Sequence, residues 1–165
     1  NLAKQVDDNG GITFIPALSG LGAPYWNPNA TGTIFGLTRD SNKCHIARAA
    51  LEAIALRSRE IIIEMQKDAG FEFKELKVDG GASKNDLLMQ IQANLLNKDV
   101  VRSKSPESTA LGAAFFAGLS VGFWNSIEEI KSLWEKDITY HPESNSKKIQ
   151  IIIDEWNKRI RMING

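Results

Sequence analysis

The chain has no excess charge of either sign, no pair of cysteines and no long hydrophobic run. Lysine and arginine number 20, and aspartate and glutamate also number 20, so the formal net charge is zero. This balance argues against a nucleic-acid partner, because binding a phosphate backbone requires a basic excess. No apolar run approaches membrane-spanning length, and no signal peptide is visible. The single cysteine, Cys44, excludes an internal disulfide and is typical of a reducing cytoplasm, where we expect the protein to reside.

Several signatures of catalysis are also missing. The sequence contains no Gly-x-x-x-x-Gly-Lys-Ser/Thr loop, no Gly-x-Gly-x-x-Gly after a strand and no Gly-x-Ser-x-Gly elbow. It has no metal-ligand spacing of histidine and cysteine either. At 165 residues the chain has the length of one domain. Because it begins at Asn1 rather than methionine, we expect it to be a piece of a longer protein.

The one ligand-shaped feature is a glycine turn between a strand and a helix. An apolar strand over residues 76–78 runs into Asp79-Gly80-Gly81, and an amphipathic helix follows to about Asn97. Glycine permits positive φ and lets a ligand lie against the backbone, and the helix start offers unpaired N–H groups. A phosphate or a polar base edge could bind there. The alternative is a plain turn with Ser83 as the helix N-cap, and the two glycines alone do not decide between them.

Strands alternate with long helices, which indicates an α/β domain with crossover connections. The long first helix starts at Ser41 or Asn42 and is closed by Gly70. The other predicted segments are strands at 12–15, 33–37 and 100–101, helices from 105, at 126–134 and at 146–162, and a polar loop at 136–145.

Two helices carry patterns with a functional interpretation. The long helix is predicted to bury one apolar face, with its charges off that stripe and Arg48–Glu52 as a solvated ion pair. The predicted apolar face comprises Ala47, Leu51, Ile54, Ser58, Ile61, Ile62 and Met65. The helix starting at Ser105, with Pro106 in its first turn, has alanines at one-turn spacing. These alanines either allow another stretch of backbone to lie close beside the glycine turn, or they indicate an ordinary buried helix.

Three stretches together resemble a known family. They read Gly-Leu-Gly-Ala-Pro-Tyr-Trp at 20–26, Asp-Gly-Gly-Ala at 79–82 with Asn85, and Glu-Ser-Thr-Ala-Leu-Gly-Ala-Ala at 107–114. The chain is similar to the carboxy-terminal domain of glycerol kinases, a branch of the FGGY carbohydrate kinases, most clearly from about Gly11 to Trp134. The first stretch discriminates best, because xylulose and ribulose kinases typically carry a Gly-Glu-Arg type sequence there.

The resemblance implies a fold and a domain. The fold is α/β, a partial actin/hexokinase-like (ribonuclease H-like) ATPase domain with a mixed sheet flanked by helices. Residues 1–165 would form the carboxy-terminal nucleotide-binding domain, with the amino-terminal part of the protein missing. Its sheet would then have an exposed edge at the glycine-turn strand, which predicts pairing with a second chain or poor solubility.

The resemblance also implies roles for individual residues. Gly80 would supply the tight turn, Gly81 and Ala82 would present backbone to ATP or ADP, and the Asn85 amide would contact the nucleotide. Asp79 would cap the turn or face the phosphate and metal side of the cleft, and capping is favoured. One departure is Thr31, where many relatives have arginine. The general-base aspartate is expected upstream, so we predict no catalytic residue and no metal ligand in this chain.

The implied reaction transfers the γ-phosphate of ATP, with Mg²⁺, to glycerol and gives sn-glycerol 3-phosphate. The chain alone is predicted to be inactive. We also expect a homo-oligomer and regulatory protein docking near the C-terminal helix. Two alternatives remain open: a kinase for another polyol or sugar of the xylulose or ribulose type, and a non-catalytic module that docks a regulator.

Overall fold

The computed structural model describes residues 2–105, 107–143 and 146–165; the side chain of Ser146 is also outside the description. The strands are β1 (Thr13–Ile15), β2 (Thr33–Phe35), β3 (Glu75–Val78), β4 (Asp99–Ser103) and β5 (Lys136–Tyr140). The helices are α1 (Lys43–Ala69), α2 (Asp86–Leu96), α3 (Ser108–Ser120), α4 (Ile127–Ser132) and α5 (Ser146–Asn164). The chain is thus an α/β fold, as predicted.

Strands β1 and β2 form an antiparallel ribbon. Ile15 pairs with Thr33, so the residues 16–32 between them leave and rejoin the ribbon at one point. Ile12 and Ile15 are almost completely buried and anchor the ribbon on the core. Gly36, just after β2, has φ +81°, and a Cβ there would come 2.1 Å from the Gly11 carbonyl oxygen. Only glycine allows the ribbon to close this tightly.

The second sheet is mixed, with the order β3-β4-β5. β3 is parallel to β4, and β4 is antiparallel to β5. The polar loop predicted over 136–145 is wrong for residues 136–140, which form β5; Ser144 and Asn145 lie outside the described residues. The charged residues Lys136 and Asp137 at the start of β5 are not typical of a strand, and its pairing partner, β4, lies far away in sequence. The local sequence therefore did not indicate the strand. Among the described strands β3 has one neighbour, so its other edge is open as predicted.

Helix α1 has the ends that its sequence predicts. The Asn42 side chain accepts hydrogen bonds from Cys44 N and His45 N, and Gly70 closes the helix in the left-handed conformation. The predicted buried face is wrong, however. Ile54, Ile61 and Met65 are 47%, 40% and 52% exposed. The residues that are buried instead are Cys44, Ala49, Glu52, Ala53, Ala55, Leu56 and Glu60.

The reason for this error is the size of the buried side chains. Alanines let β1, α2 and the N-terminal segment Leu2–Gln5 approach α1 closely, whereas a pattern read from large apolar residues selects the opposite face. The Arg48–Glu52 pair is correspondingly not solvated, because Glu52 is 4% exposed.

The main core lies between α1, α2, α5 and the adjoining strands. Its most deeply buried large side chains include Trp156 and Ile160 of α5 and Val100 of β4. The terminal helix α5 therefore packs on the core by a face of isoleucine and tryptophan at helical spacing.

Helices α3 and α4 are packed differently. The small residues Ala110, Ala113, Ala114 and Ala117 are all exposed, so the buried-helix alternative is wrong for the described chain. Only Gly118 of α3 is buried, where a Cβ would come 2.2 Å from the Trp124 ring. Pro106, predicted in the first turn of this helix, lies outside the described residues.

The start of α4 makes one of the two hydrogen bonds of a capping box. Ser126 Oγ accepts from Glu129 N at 3.1 Å. The Glu129 carboxylate accepts from the backbone N–H of Asn125, one residue before the cap. The helix ends at Ser132, slightly earlier than predicted.

Candidate nucleotide-binding site

The glycine turn lies at the carboxyl end of β3. Gly80 has φ +80° and ψ 178°, a conformation that strongly favours glycine. A single 3-10 turn, Gly81–Lys84, follows and leads into α2. Ser83 is 3% exposed, and both its backbone N–H and its hydroxyl donate to the Gly80 carbonyl, at 3.2 and 2.8 Å. The side chain of Ser83 therefore fixes the turn from inside, and the N-cap role given to it in the plain-turn alternative is wrong.

Asn85 is the N-cap of α2. Its Oδ1 accepts from Leu88 N at 3.3 Å, and its backbone is extended. This contact uses the amide oxygen only. The Nδ2 donors have no hydrogen-bond partner among the described residues, so they are available to an acceptor on a ligand.

The backbone of the turn is open toward solvent. A Cβ placed on Gly80 or on Gly81 would meet no atom within 4 Å. Ala82 is exposed, and the N–H groups of Gly81 and Ala82 have no acceptor among the residues that the structure describes. Unpaired N–H groups beside a helix start carry partial positive charge. The arrangement fits a phosphate or a polar edge of a nucleotide.

Asp79 does not cap this turn. Its side chain is exposed and has no hydrogen-bond partner among the described residues. The capping contact favoured for Asp79 is therefore absent from this structure, and its exposed carboxylate is unpaired among the described residues.

A cluster behind the turn was missed by sequence reasoning. Arg102 of β4 donates to the Ser83 carbonyl at 3.1 Å, to Asp86 Oδ1 at 2.9 Å and to Asp137 Oδ2 at 2.8 Å. Tyr140 of β5 donates its hydroxyl to the same Asp86 oxygen at 2.6 Å. The hydrogen-bonded pair Asp86 and Tyr140 is separated by 54 positions, and no local pattern connects the two residues.

The cluster shifts the pKa values of its members. Hydrogen bonds from Tyr140 and Arg102 lower the pKa of Asp86. Burial, followed by the hydrogen bond to Asp86, raises the pKa of Tyr140 to about 12. Asp86 is therefore a carboxylate and Tyr140 a neutral donor at neutral pH.

One open pocket adjoins the turn, and a second pocket shares Ser103 and Lys104 with it. One of about 280 Å³ is lined by Ser83, Lys84, Asp86, Arg102, Ser103, Lys104 and Asp137. The other, of about 320 Å³, is mostly apolar and is lined by residues of α3 and α4 together with Ser103 and Lys104. Because β3 and β4 are parallel, their carboxyl ends place both pockets at the sheet edge that carries the turn.

The aromatic loop at 20–26 is held in place by a buried carboxylate. Glu60 accepts from Tyr25 at 2.5 Å, from Trp156 at 2.7 Å and from Arg57 at 2.5 Å. Arg57 also donates to the carbonyl of Ala23 in the loop at 2.8 Å. Trp26, next along the loop, is 76% exposed. Arg57 and Glu60 of α1 thus hold the aromatic loop in place. Their position outside the predicted apolar face of the helix gave no sign of this role.

Two further features bear on function. No described helix is long and apolar enough to cross a membrane. Within the described ranges, no three histidine, cysteine, aspartate or glutamate side chains cluster as a metal site would require.

Comparison with known proteins decides the family. The sequence model of the C-terminal domain of the FGGY family of carbohydrate kinases matches residues 1–121. The chain belongs to the FGGY carbohydrate kinases. It is 56% identical over 161 residues to the glycerol kinase of Borrelia hermsii. The alignment covers 97% of this chain and 32% of that protein.

Solved structures agree with this assignment. The crystal structure of Plasmodium falciparum glycerol kinase with ADP superposes with a TM-score of 0.87 at 36% identity, covering 98% of this chain and 32% of that one. The ligand-bound xylulose kinase of Lactobacillus acidophilus gives 0.85 at 27% identity, covering 98% and 33%. The prediction of a partial actin/hexokinase-like α/β domain is confirmed. The chain spans about a third of the length of the FGGY kinases it matches.

Proposed function

We propose that this chain is the nucleotide-binding, carboxy-terminal domain, residues 1–165, of a glycerol kinase. The whole enzyme would transfer the γ-phosphate of ATP to glycerol and release sn-glycerol 3-phosphate. The observation that carries the proposal is the open glycine turn at the end of β3, found in a chain with 56% identity to a glycerol kinase. Fold alone is a weak guide to substrate, because a xylulose kinase superposes nearly as well.

Each residue of the turn has a part in this proposal. Gly80 sets the reversal through its positive φ, while Gly81 and Ala82 present unpaired backbone N–H groups to the nucleotide. Asn85 donates its amide Nδ2 while its Oδ1 holds the helix start. Exposed Asp79 supports the phosphate and metal side of the cleft instead of capping the turn.

The remaining catalytic parts lie upstream. The general-base aspartate and most of the glycerol site belong to the longer protein, so the chain alone is inactive. Mg²⁺ accompanies the ATP phosphates and neutralises charge during transfer. The reaction depends on positioning across a closing cleft, of which this domain forms one wall.

The proposal includes partners and location. The enzyme is a cytoplasmic homo-oligomer, and a regulatory protein docks near the start of α5. Exposed Glu143 and Lys147 flank that region. Reversing both charges tests the docking idea, because unchanged binding of a regulator would contradict it, while buried Trp156 keeps the helix in place.

The decisive experiment assays the full-length protein with MgATP and a panel of glycerol, xylulose, ribulose and gluconate, with this chain as a parallel control. We expect turnover with glycerol only and none from the chain itself. Turnover on another member of the panel would retain the kinase but replace the substrate. No turnover on any of them would favour the regulator-docking module, and activity of the chain alone would contradict the upstream placement of the base.

A further inference from the structure

The nucleotide turn is tied to the sheet by one side chain from the neighbouring strand. Arg102 is paired with Val78, the last residue of β3, in the parallel register. It therefore lies directly beside the point where the chain enters the turn. Its side chain is only 13% exposed, although Asp86 and Asp137, its two carboxylate partners, are 58% and 43% exposed.

The guanidinium makes contacts that no other cation could reproduce together. Nη1 donates both to the Ser83 carbonyl inside the 3-10 turn and to Asp86 at the start of α2. Nε donates to Asp137 on β5, and the guanidinium carbon lies 5.7 Å from the centre of the Tyr140 ring. Arginine presents its donors in a rigid planar fork, whereas lysine offers one point charge.

Tyr140 completes the restraint from β5. Its hydroxyl donates to the Asp86 oxygen that Arg102 also contacts, so two strands hold the first residue of α2. The residues between Gly80 and Asp86 are thus fixed at both ends. The N–H groups of Gly81 and Ala82, which have no partners of their own among the described residues, take their direction from this frame.

We propose that Arg102, with Tyr140, is a positioning residue that sets the nucleotide turn in its binding geometry through the Ser83 carbonyl and Asp86. This rests on the proposed function, because it assigns the clamp to the nucleotide side of the kinase. Neither side chain is a catalytic residue, since each acts on the nucleotide only through the backbone of the turn.

The test uses the full-length kinase and compares Arg102→Met, Arg102→Lys and Tyr140→Phe with the parent. A matched control is Arg161→Met, which removes an exposed arginine of α5. For each variant, the affinity for ADP is measured by calorimetry. KM for ATP, KM for glycerol and kcat are measured at a temperature well below the midpoint of thermal unfolding. Loss of the charge-assisted contacts is expected to weaken ADP binding and raise KM for ATP about tenfold in Arg102→Met.

The pattern across variants separates positioning from stability. Arg102→Lys is expected to lie between the parent and Arg102→Met, Tyr140→Phe to show a smaller rise, and Arg161→Met none, with KM for glycerol constant throughout. A purely structural arginine would lower the unfolding midpoint but leave ADP affinity and KM for ATP unchanged, and that result would overturn the proposal.

Two further outcomes remain decisive. If Arg102→Met does not fold, Tyr140→Phe decides, because it removes a single hydroxyl, and unchanged ADP affinity there would reject the clamp. If the parent binds ADP but phosphorylates no substrate, the proposed function fails while a loss of ADP affinity in the variants still supports the clamp.

Discussion

The two sites that hold this domain's loops are built in opposite ways. The aromatic loop is fixed by a buried carboxylate, Glu60, which collects donors from three parts of the chain. The glycine turn is fixed by a cation, Arg102, whose two carboxylate partners are exposed to solvent; it reaches acceptors in the turn, at the start of α2 and on β5. A buried charge must be fully paired or it is costly, whereas a clamp at the edge of solvent tolerates loss of a partner. We therefore expect damage at Glu60 to appear as instability and damage at the turn to appear as weak binding.

The largest effect is expected from Glu60→Ala, which tests whether the aromatic loop depends on a buried charge. It leaves the buried indole N–H of Trp156 and the partly buried hydroxyl of Tyr25 without their acceptor and removes side-chain volume from the core. We expect a loss of about 3–5 kcal/mol in the free energy of unfolding, in the range seen when a buried pair is broken. Urea denaturation measures it, with Glu64→Ala as control because the Glu64 side chain is 44% exposed. A loss equal to that of the control would contradict the buried-hub interpretation.

At the turn, Gly80→Ala is the next largest change. The combination of φ +80° and ψ 178° disfavours any residue with a Cβ, at a cost of about 1–3 kcal/mol, although the space around that Cβ is free. We expect this modest destabilisation together with a marked loss of ADP affinity, measured by calorimetry on the same samples. Gly11→Ala is the control, because Gly11 also has φ +80° and open space around its Cβ but lies just before β1 and not in the turn. Unchanged ADP binding in Gly80→Ala would mean that the turn does not contact the nucleotide.

Asn85 allows its two roles to be separated. Asn85→Asp keeps an oxygen to cap α2 but removes the amide donor, whereas Asn85→Ala removes both. The alanine variant is expected to lose about 1 kcal/mol of stability and the aspartate variant almost none. Both should bind ADP more weakly. If the aspartate variant binds ADP as well as the parent, the amide makes no contact with the nucleotide.

The smallest expected effect is a pH dependence from Glu52. Burial raises the pKa of this carboxyl, although hydrogen bonds from Asn9 and Arg48 oppose the shift. Because the folded pKa lies above the unfolded one, the folded state holds the proton more tightly. This contribution to stability is complete below the unfolded pKa and is lost as the pH rises through the folded pKa.

Glu52→Gln should remove this dependence. The unfolding free energy of the variant, relative to the parent, is expected to increase as the pH rises from about 4 through the carboxyl range. Denaturation curves at several pH values measure it, with Glu64→Gln as the exposed control. Parallel pH profiles for parent and Glu52→Gln would contradict the raised pKa.

The features predicted correctly from sequence are those determined by neighbouring residues. Asn42 and Gly70 end α1 because capping depends on local backbone and side chain, and the glycine turn needs its glycines for φ alone. The family resemblance likewise rests on short contiguous stretches.

The features that were missed depend on distant contacts. The buried face of α1 depends on which elements come close enough to need alanine, and Glu60 is buried because Tyr25 and Trp156 satisfy it. β5 is a strand through its pairing with β4, and Arg102 finds Asp86 only in the folded chain. Periodicity contains none of this information.

The loop at residues 16–32 has a consequence for how enzymes of this family diverge. It leaves and re-enters the fold at the single pair Ile15 and Thr33, and an internal bridge between Leu21 and Asn27 closes its tip. A segment with adjacent ends can be exchanged between related genes as a cassette without altering the path of the surrounding chain. Its attachment to Glu60 limits such an exchange. An incoming loop without a donor in place of Tyr25 would leave this buried carboxylate with only its Trp156 and Arg57 partners, so we expect the loop and the helix residue to change together.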